Sequence, residues 1–174
     1  MTSAAEPMAP SRSVRVIGIG NPDRGDDGVG ALVVGELAGH LPADVSLLVR
    51  SGDMMNLGDD MAGIDALVCI DASAPMGEPG RIRRVDLATG ALERDMSFAS
   101  SHAFGLADAI ALAQALGVAS KDIVVYAIEG ACFDTGAPIT PAVTTAAQTV
   151  AGQVVTEVHR LRRGSRGQEE TFNA

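Results

Sequence analysis

The sequence predicts an α/β fold: a single three-layer domain with a twisted, mostly parallel sheet, helices on both faces and one antiparallel strand. Three observations lead there. Strand-like and helix-like segments alternate from residue 13 to residue 164. The strand-like runs are almost continuously apolar, as expected of strands covered on both faces. A chain of 174 residues is long enough for one compact domain but short for two, and no internal repeat or linker divides it. The predicted domain spans residues 13–164, and the polar or charged stretches 1–12 and 165–174 read as flexible tails.

Each element follows from local pattern. "VRVIGIG" (14–20) is a β-branched run of strand length, closed by Gly, Asn and Pro. "GVGALVVGELAGHL" (28–41) carries Val29, Leu32, Val33, Leu37 and Leu41 at helical spacing. "DVSLLVRSG" is a second strand and "MNLGDDMAG" a short helix or turn. "ALVCIDA" (66–72) is a third, fully apolar strand ending in Asp71. "GRIRRVDL" (80–87) alternates apolar and charged residues, the pattern of a half-exposed edge strand. "SSHAFGLADAIALAQALG" predicts a helix from about His102 to Leu116, stopped by Gly117. "DIVVYAIEG" (122–130) is the last strand. A final helix places Val143, Ala147, Val150, Val154, Val158 and Leu161 on one face, with Pro141 in its first turn.

Composition narrows the function. The net charge of −9, from 13 basic and 22 acidic residues, argues against nucleic acid or an anionic membrane as partner. The four arginines of "HRLRRGSR" (159–166) read as a solvated last helical turn that suits the helix dipole. The two cysteines, Cys69 and Cys132, are too few for a disulfide framework or a zinc knuckle, so free thiols in a reducing compartment are expected. No signal peptide or spanning apolar run is evident, and a cytoplasmic protein is expected.

In such folds ligands sit beyond the carboxyl ends of the strands, so the turn "GNPDRGDDGVG" (20–30) is the first place to look. A dinucleotide fingerprint fails here, because Asp23 stands where the third glycine belongs. Gly20 and Gly25 match the glycines of a phosphate loop, but Asp26 and Asp27 replace its Lys and Ser or Thr. Two carboxylates in place of the phosphate-pairing cation reverse the electrostatics and disfavour phosphate. Either aspartate alone could cap the following helix, but one helix has one cap. The remaining carboxylate has a cation as its natural partner. Either Asp26 or Asp27 is thus the cap and the other the cation contact, while Asp23 takes a place in the turn shaped by Asn21.

Asp71 ends a buried strand, where it either caps a loop or points into a site. His102 begins a helix, as an exposed first-turn residue or as a ligand. That position disfavours the imidazolium and keeps the ring in its ligating form. One aspartate of the turn, Asp71 and His102 could converge as a partial coordination sphere for a borderline divalent metal. Glu129, in "AIEG", either adds a carboxylate or holds the substrate tail, or else hydrogen-bonds loop amides. Gly25, Gly28 and Gly30 allow close backbone approach to a partner, with helix–sheet packing an alternative for Gly30.

In order along the chain, "GIGNPDRGDDGVG", "VCIDAS", "SSHAFGLADAIALAQALG" and "YAIEGACFDTGAPITPAV" resemble the hydrogenase maturation proteases. These endopeptidases act on the large subunit of nickel–iron hydrogenases. The resemblance covers roughly residues 14–160. It implies removal of a C-terminal extension from the large-subunit precursor after nickel insertion. It also implies metal contacts at Asp27, Asp71 and His102, with nickel carried by the substrate rather than held permanently. The opening acid is often Glu in the family, so Asp27 is one methylene shorter, and Pro141-Ala142 stands where Pro-Glu is common.

No Ser or Cys nucleophile constellation is visible, so Asp27 and Asp71 are the candidate catalytic groups, activating a water unless the metal itself does so. The alternative is a non-catalytic nickel-checking chaperone on the same fold. A nucleotide-dependent small-molecule enzyme is disfavoured by the acidic turn.

Overall fold

The computed structural model describes residues 10–90 and 105–164. In chain order it contains β1 (Val14–Ile19), a 3₁₀ turn (Gly25–Gly28), α1 (Val29–Leu37), β2 (Ser46–Arg50), α2 (Leu57–Met61), β3 (Ala66–Ser73), β4 (Ile82–Asp86), α3 (Leu106–Ala115), β5 (Asp122–Glu129) and α4 (Pro141–Arg163). The strands form one sheet in the order β2-β1-β3-β5-β4. All pairings are parallel except β4 with β5. The predicted α/β architecture and the single antiparallel edge strand are therefore both present.

Period-two alternation divides the core into two layers. Val14, Val16, Val68, Ile70, Val124 and Tyr126 pack under α1 and α4. Ile17, Ile19, Leu67, Cys69, Ile123 and Val125 pack under α2 and α3. The predicted α4 face is buried throughout, from Val143 to Leu161. Beside the edge strand, α4 also buries Glu157, which accepts hydrogen bonds from Arg84, Tyr126 and Arg160. That network explains why β4 carries charge on a face that still packs. The C-terminal arginines are only partly free: Arg160 also pairs with Asp86, and Arg162 with Asp44.

Two boundaries differ from expectation. α1 ends at Leu37 rather than Leu41, because Ala38 turns extended and Gly39 takes a left-handed φ of 79°. β3 runs past Asp71 to Ser73, since Asp71, Ala72 and Ser73 all stay in register with β5. The helix start predicted at His102 lies outside the described residues; α3 is described from Leu106 and halts before Gly117, at a φ of 71°.

The chain order makes the crevice between β1 and β3 the switch point of the sheet. Two glycines let α1 begin close above it. A Cβ on Gly18 would lie 2.2 Å from the Gly30 carbonyl oxygen. One on Gly30 would lie 2.4 Å from Ile19 N and 2.8 Å from Ile70 O. Gly30 therefore serves helix–sheet packing.

Asp26 joins the opening turn to the far end of the sheet. It is fully buried, and its Oδ2 accepts the Ala131 and Cys132 amides at 2.7 and 3.0 Å. Its Oδ1 accepts the Thr140 amide and hydroxyl at 2.7 and 3.0 Å. The Asp26 amide in turn donates to Cys132 O at 2.8 Å. Asp26 is thus not the cap the sequence suggested: neither the 3₁₀ turn nor α1 has a side-chain cap bond. Four donors from a distant loop outcompete the local amides. Burial by itself would raise the Asp26 pKa, but hydrogen bonds to the ionised form prevail and hold it below the usual carboxylate value.

Gly30→Ala meets backbone atoms that cannot yield, so it should cost about 1–3 kcal/mol of stability in denaturant unfolding. Gly35→Ala, in the same helix with nothing within 4 Å of the added methyl, should leave stability unchanged or raise it by roughly 0.5 kcal/mol. Asp26→Asn turns an NH2 toward one of the two donor pairs and should cost about 2 kcal/mol at pH 7. Because the folded pKa of Asp26 is depressed, its contribution is present above the unfolded value and is lost as pH falls through the folded one. The stability gap between wild type and Asp26→Asn should therefore narrow as pH drops below about 4.

Candidate functional site

The turn after β1 presents Asp27 at the crevice. Asn21 builds the turn from both sides: its Oδ1 accepts the Asp23 amide at 2.9 Å, and its own amide donates to Asp27 Oδ2 at 3.0 Å. The first bond is the side-chain–backbone turn expected of Asn21. Gly20, at a φ of 122°, brings the strand end against Asp27, and a Cβ there would lie 2.0 Å from Asp27 O. Gly25, at a φ of 53°, lies against Cys132 O, and Gly28 against Pro22. These glycines admit the chain's own backbone, the approach the sequence had suggested for a partner.

Asp71 reaches the same crevice from β3. Gly18 pairs with Ile70, so Asp71 lies one residue further on, level with the end of β1. It shares a face with Leu67 and Cys69, the α3 side of the sheet. Its Oδ1 accepts the Ala72 amide at 2.8 Å. Both carboxylates are buried, and one oxygen of each, Asp27 Oδ1 and Asp71 Oδ2, has no hydrogen-bond partner among the described residues. Burial pushes the Asp71 carboxyl well above the usual range, and the negative charge of Asp27 adds to that rise. The two acids are therefore electrostatically coupled across the crevice.

Buried carboxylate oxygens are nearly always satisfied, so two orphans on acids that feel each other's charge make a place suited to a cation. His102, the third predicted ligand, lies outside the described residues. Among the described residues no group of three or more His, Cys, Asp or Glu side chains gathers around one point.

Glu129 does not join the pair. Its Oε1 accepts the Met76 and Glu78 amides at 2.6 and 2.7 Å, tying down the loop after β3. Desolvation opposes its charge, but those amides and the nearby Arg81 leave its pKa lowered. Of the two roles open for Glu129, it takes the loop-holding one. Cys69 is fully buried within β3, where burial and the charges of Asp71 and Asp60 push its thiol pKa up, the reverse of what a nucleophilic cysteine needs. Cys132 is half-buried, and its Sγ donates to Asp134 at 3.7 Å.

Two residues escaped the sequence reading. Arg24 Nη1 lies 3.8 Å from Asp27 Oδ2, and its guanidinium sits 5.8 Å from the centre of the Phe133 ring. Nothing in the local sequence links Arg24 to a phenylalanine on the loop after β5. The Asp26 clamp and the neighbouring Gly136 amide, which donates to Asp23 O, bring the two loops together.

Solved structures with the same fold include the hydrogenase maturating endopeptidase HybD from E. coli, with a TM-score of 0.67 and 23% identity, covering 84% of this chain and 92% of that one. The solution structure of an endopeptidase from Escherichia coli gives a TM-score of 0.71 at 24% identity, over 84% of this chain and 92% of that chain. The [NiFe] hydrogenase maturation protease HycI from Thermococcus kodakarensis KOD1 gives 0.67 at 22%, over 86% and 94%. No curated protein matches the chain in sequence. The family model described as hydrogenase maturation protease matches residues 36–157, a span that includes Asp71 and His102 and begins after the acidic turn. With most of the chain matched and the sheet, its crevice and the helix layers all in place, the chain belongs to the hydrogenase maturation protease family of hydrolases.

Proposed function

We propose that this endopeptidase removes a C-terminal extension from the large-subunit precursor of a nickel–iron hydrogenase once nickel has been inserted, and that it reads the nickel directly. The observation that carries this reading is the pair of unpartnered buried oxygens, Asp27 Oδ1 and Asp71 Oδ2. Two carboxylates held together away from water are costly unless a cation joins them. A divalent metal delivered with the precursor is such a cation, so nickel belongs to the substrate. His102 would add an imidazole nitrogen, and a mixed nitrogen and oxygen set suits a borderline metal.

The chain's own groups are prepared for that encounter. The Asn21 backbone amide fixes Asp27 through Oδ2, and the Ala72 amide fixes Asp71 through Oδ1, so each carboxylate keeps its other, buried oxygen without a partner among the described residues. For hydrolysis, Asp27 or Asp71 would accept a proton from the attacking water, unless the metal itself activates it. Neither cysteine is assigned the attack, since the Cys69 thiol is sealed within the sheet. Both cysteines are free, in keeping with a cytoplasmic site of action. No helix among the described residues is long and apolar enough to cross a membrane.

The test is to mix purified protein with precursor large subunit, with and without nickel, and follow the precursor by mass spectrometry. Nickel-dependent loss of a C-terminal peptide is the expected result. Asp27→Asn, Asp71→Asn and His102→Ala should each slow that loss roughly 100-fold or more while keeping the wild-type circular dichroism spectrum. Normal cleavage by all three variants would sink the carboxylate-pair reading. Tight binding of nickel-loaded precursor with unchanged mass would instead identify a non-catalytic nickel-checking role.

A further inference from the structure

The residue at the mouth of the crevice that the cleavage chemistry leaves unused is Arg24. Its side chain is about one-third exposed (31%), whereas the Asp27 carboxylate beside it is almost covered (7%). The guanidinium meets Asp27 Oδ2 at 3.8 Å, an ion-pair distance longer than a hydrogen bond. On its other side it rests over Phe133, 5.8 Å from the ring centre. Phe133 is itself seated by a glycine, because a Cβ on Gly130 would lie 2.3 Å from the ring. Arg24 is thus parked between two loops with its charge directed at the acidic crevice and its head reachable from solvent.

A dication held by Asp27 Oδ1 and Asp71 Oδ2 would lie near this guanidinium and be repelled by it. The repulsion ends only if the arginine swings outward, which its exposure permits. We propose that Arg24 is a displaceable counter-cation that disfavours free metal ions at Asp27 and Asp71, and so reserves the pair for metal delivered with a docked precursor. The proposal rests on the carboxylate-pair reading above and makes Arg24 a specificity-determining residue. A free aqueous ion must displace Arg24 unaided. A metal embedded in the precursor is assisted by the rest of the protein–protein contact, so binding energy made elsewhere drives the displacement.

The sign of the effect separates this role from a structural one. If Arg24 merely braced the turn, removing it would loosen Asp27 and weaken metal binding. If it is a competing cation, removing it strengthens binding. Titration of the full-length protein with nickel(II) alone, followed by calorimetry at low salt, reads the difference. Arg24→Gln and Arg24→Met, the latter keeping an apolar stem against Phe133, should each bind nickel about tenfold more tightly than wild type. Arg24→Lys, which keeps the charge, should remain near wild-type affinity, and the gap should narrow as salt screens the arginine.

Equal or weaker binding by both neutral variants overturns the proposal, as does an absence of binding to either variant at millimolar nickel. The carboxylate-pair reading fails separately. If adding Asp27→Asn to Arg24→Gln, or Asp71→Asn to it, leaves the tighter affinity unchanged, the metal sits elsewhere and both ideas fall.

Discussion

The Asp26 carboxylate accepts hydrogen bonds from three backbone amides and one hydroxyl, all drawn from residues 131–140, more than a hundred positions further along the chain. Removed from water without those donors, the carboxylate would be strongly destabilising; with them, its charge is held in the ionised form. The consequences spread from that one satisfied group. The turn on which Asp27 sits is locked to the loop after β5, Thr140 is fixed at the start of α4, and Phe133 is brought beneath Arg24. A neighbouring bond, from the Gly136 amide to Asp23 O at 2.7 Å, closes the same seam.

Asp26, Asp27, Asp71 and Glu129 are buried at the carboxyl ends of the strands, and the donors each receives separate their duties. Asp26 and Glu129 are satisfied by amides, and both have lowered pKa values although desolvation opposes their charge. They hold loops. Asp27 and Asp71 each take a single backbone amide and leave one buried oxygen without a partner. Burial and mutual repulsion drive the Asp71 pKa the other way. An incompletely satisfied acidic pair at a switch point is a cost to the fold, and such costs are commonly retained where a ligand supplies the missing partner.

The packing around the crevice has a matching economy. Gly18 and Gly30 let α1 begin almost in contact with β1 and β3, so the turn cannot drift away from Asp71. The face carrying Asp71 is the one covered by α3. Among the described residues, Asp27 and Asp71 are each fixed by a backbone amide, whereas Arg24 is held by a long, partly exposed side chain. That difference in tethering is why the arginine, and not the carboxylates, is the part free to move.

Much of this was readable from the chain itself. Runs such as "ALVCI" and "IVVYAI" are continuously apolar, as expected of strands covered on both faces, so the layered architecture followed from local pattern. The acidic turn and Asp71 were likewise visible, because charges at the ends of buried strands stand out against their surroundings. What local pattern could not disclose was the division of labour between Asp26 and Asp27. Adjacent, identical residues differ only in which partners reach them. Those partners, the amides of Ala131, Cys132 and Thr140 for one and the crevice for the other, are brought together by sheet order rather than by sequence proximity. Periodicity and charge, being local, determined the fold class and the acidic rim; hydrogen-bond satisfaction, being long-range, was decided by the tertiary structure.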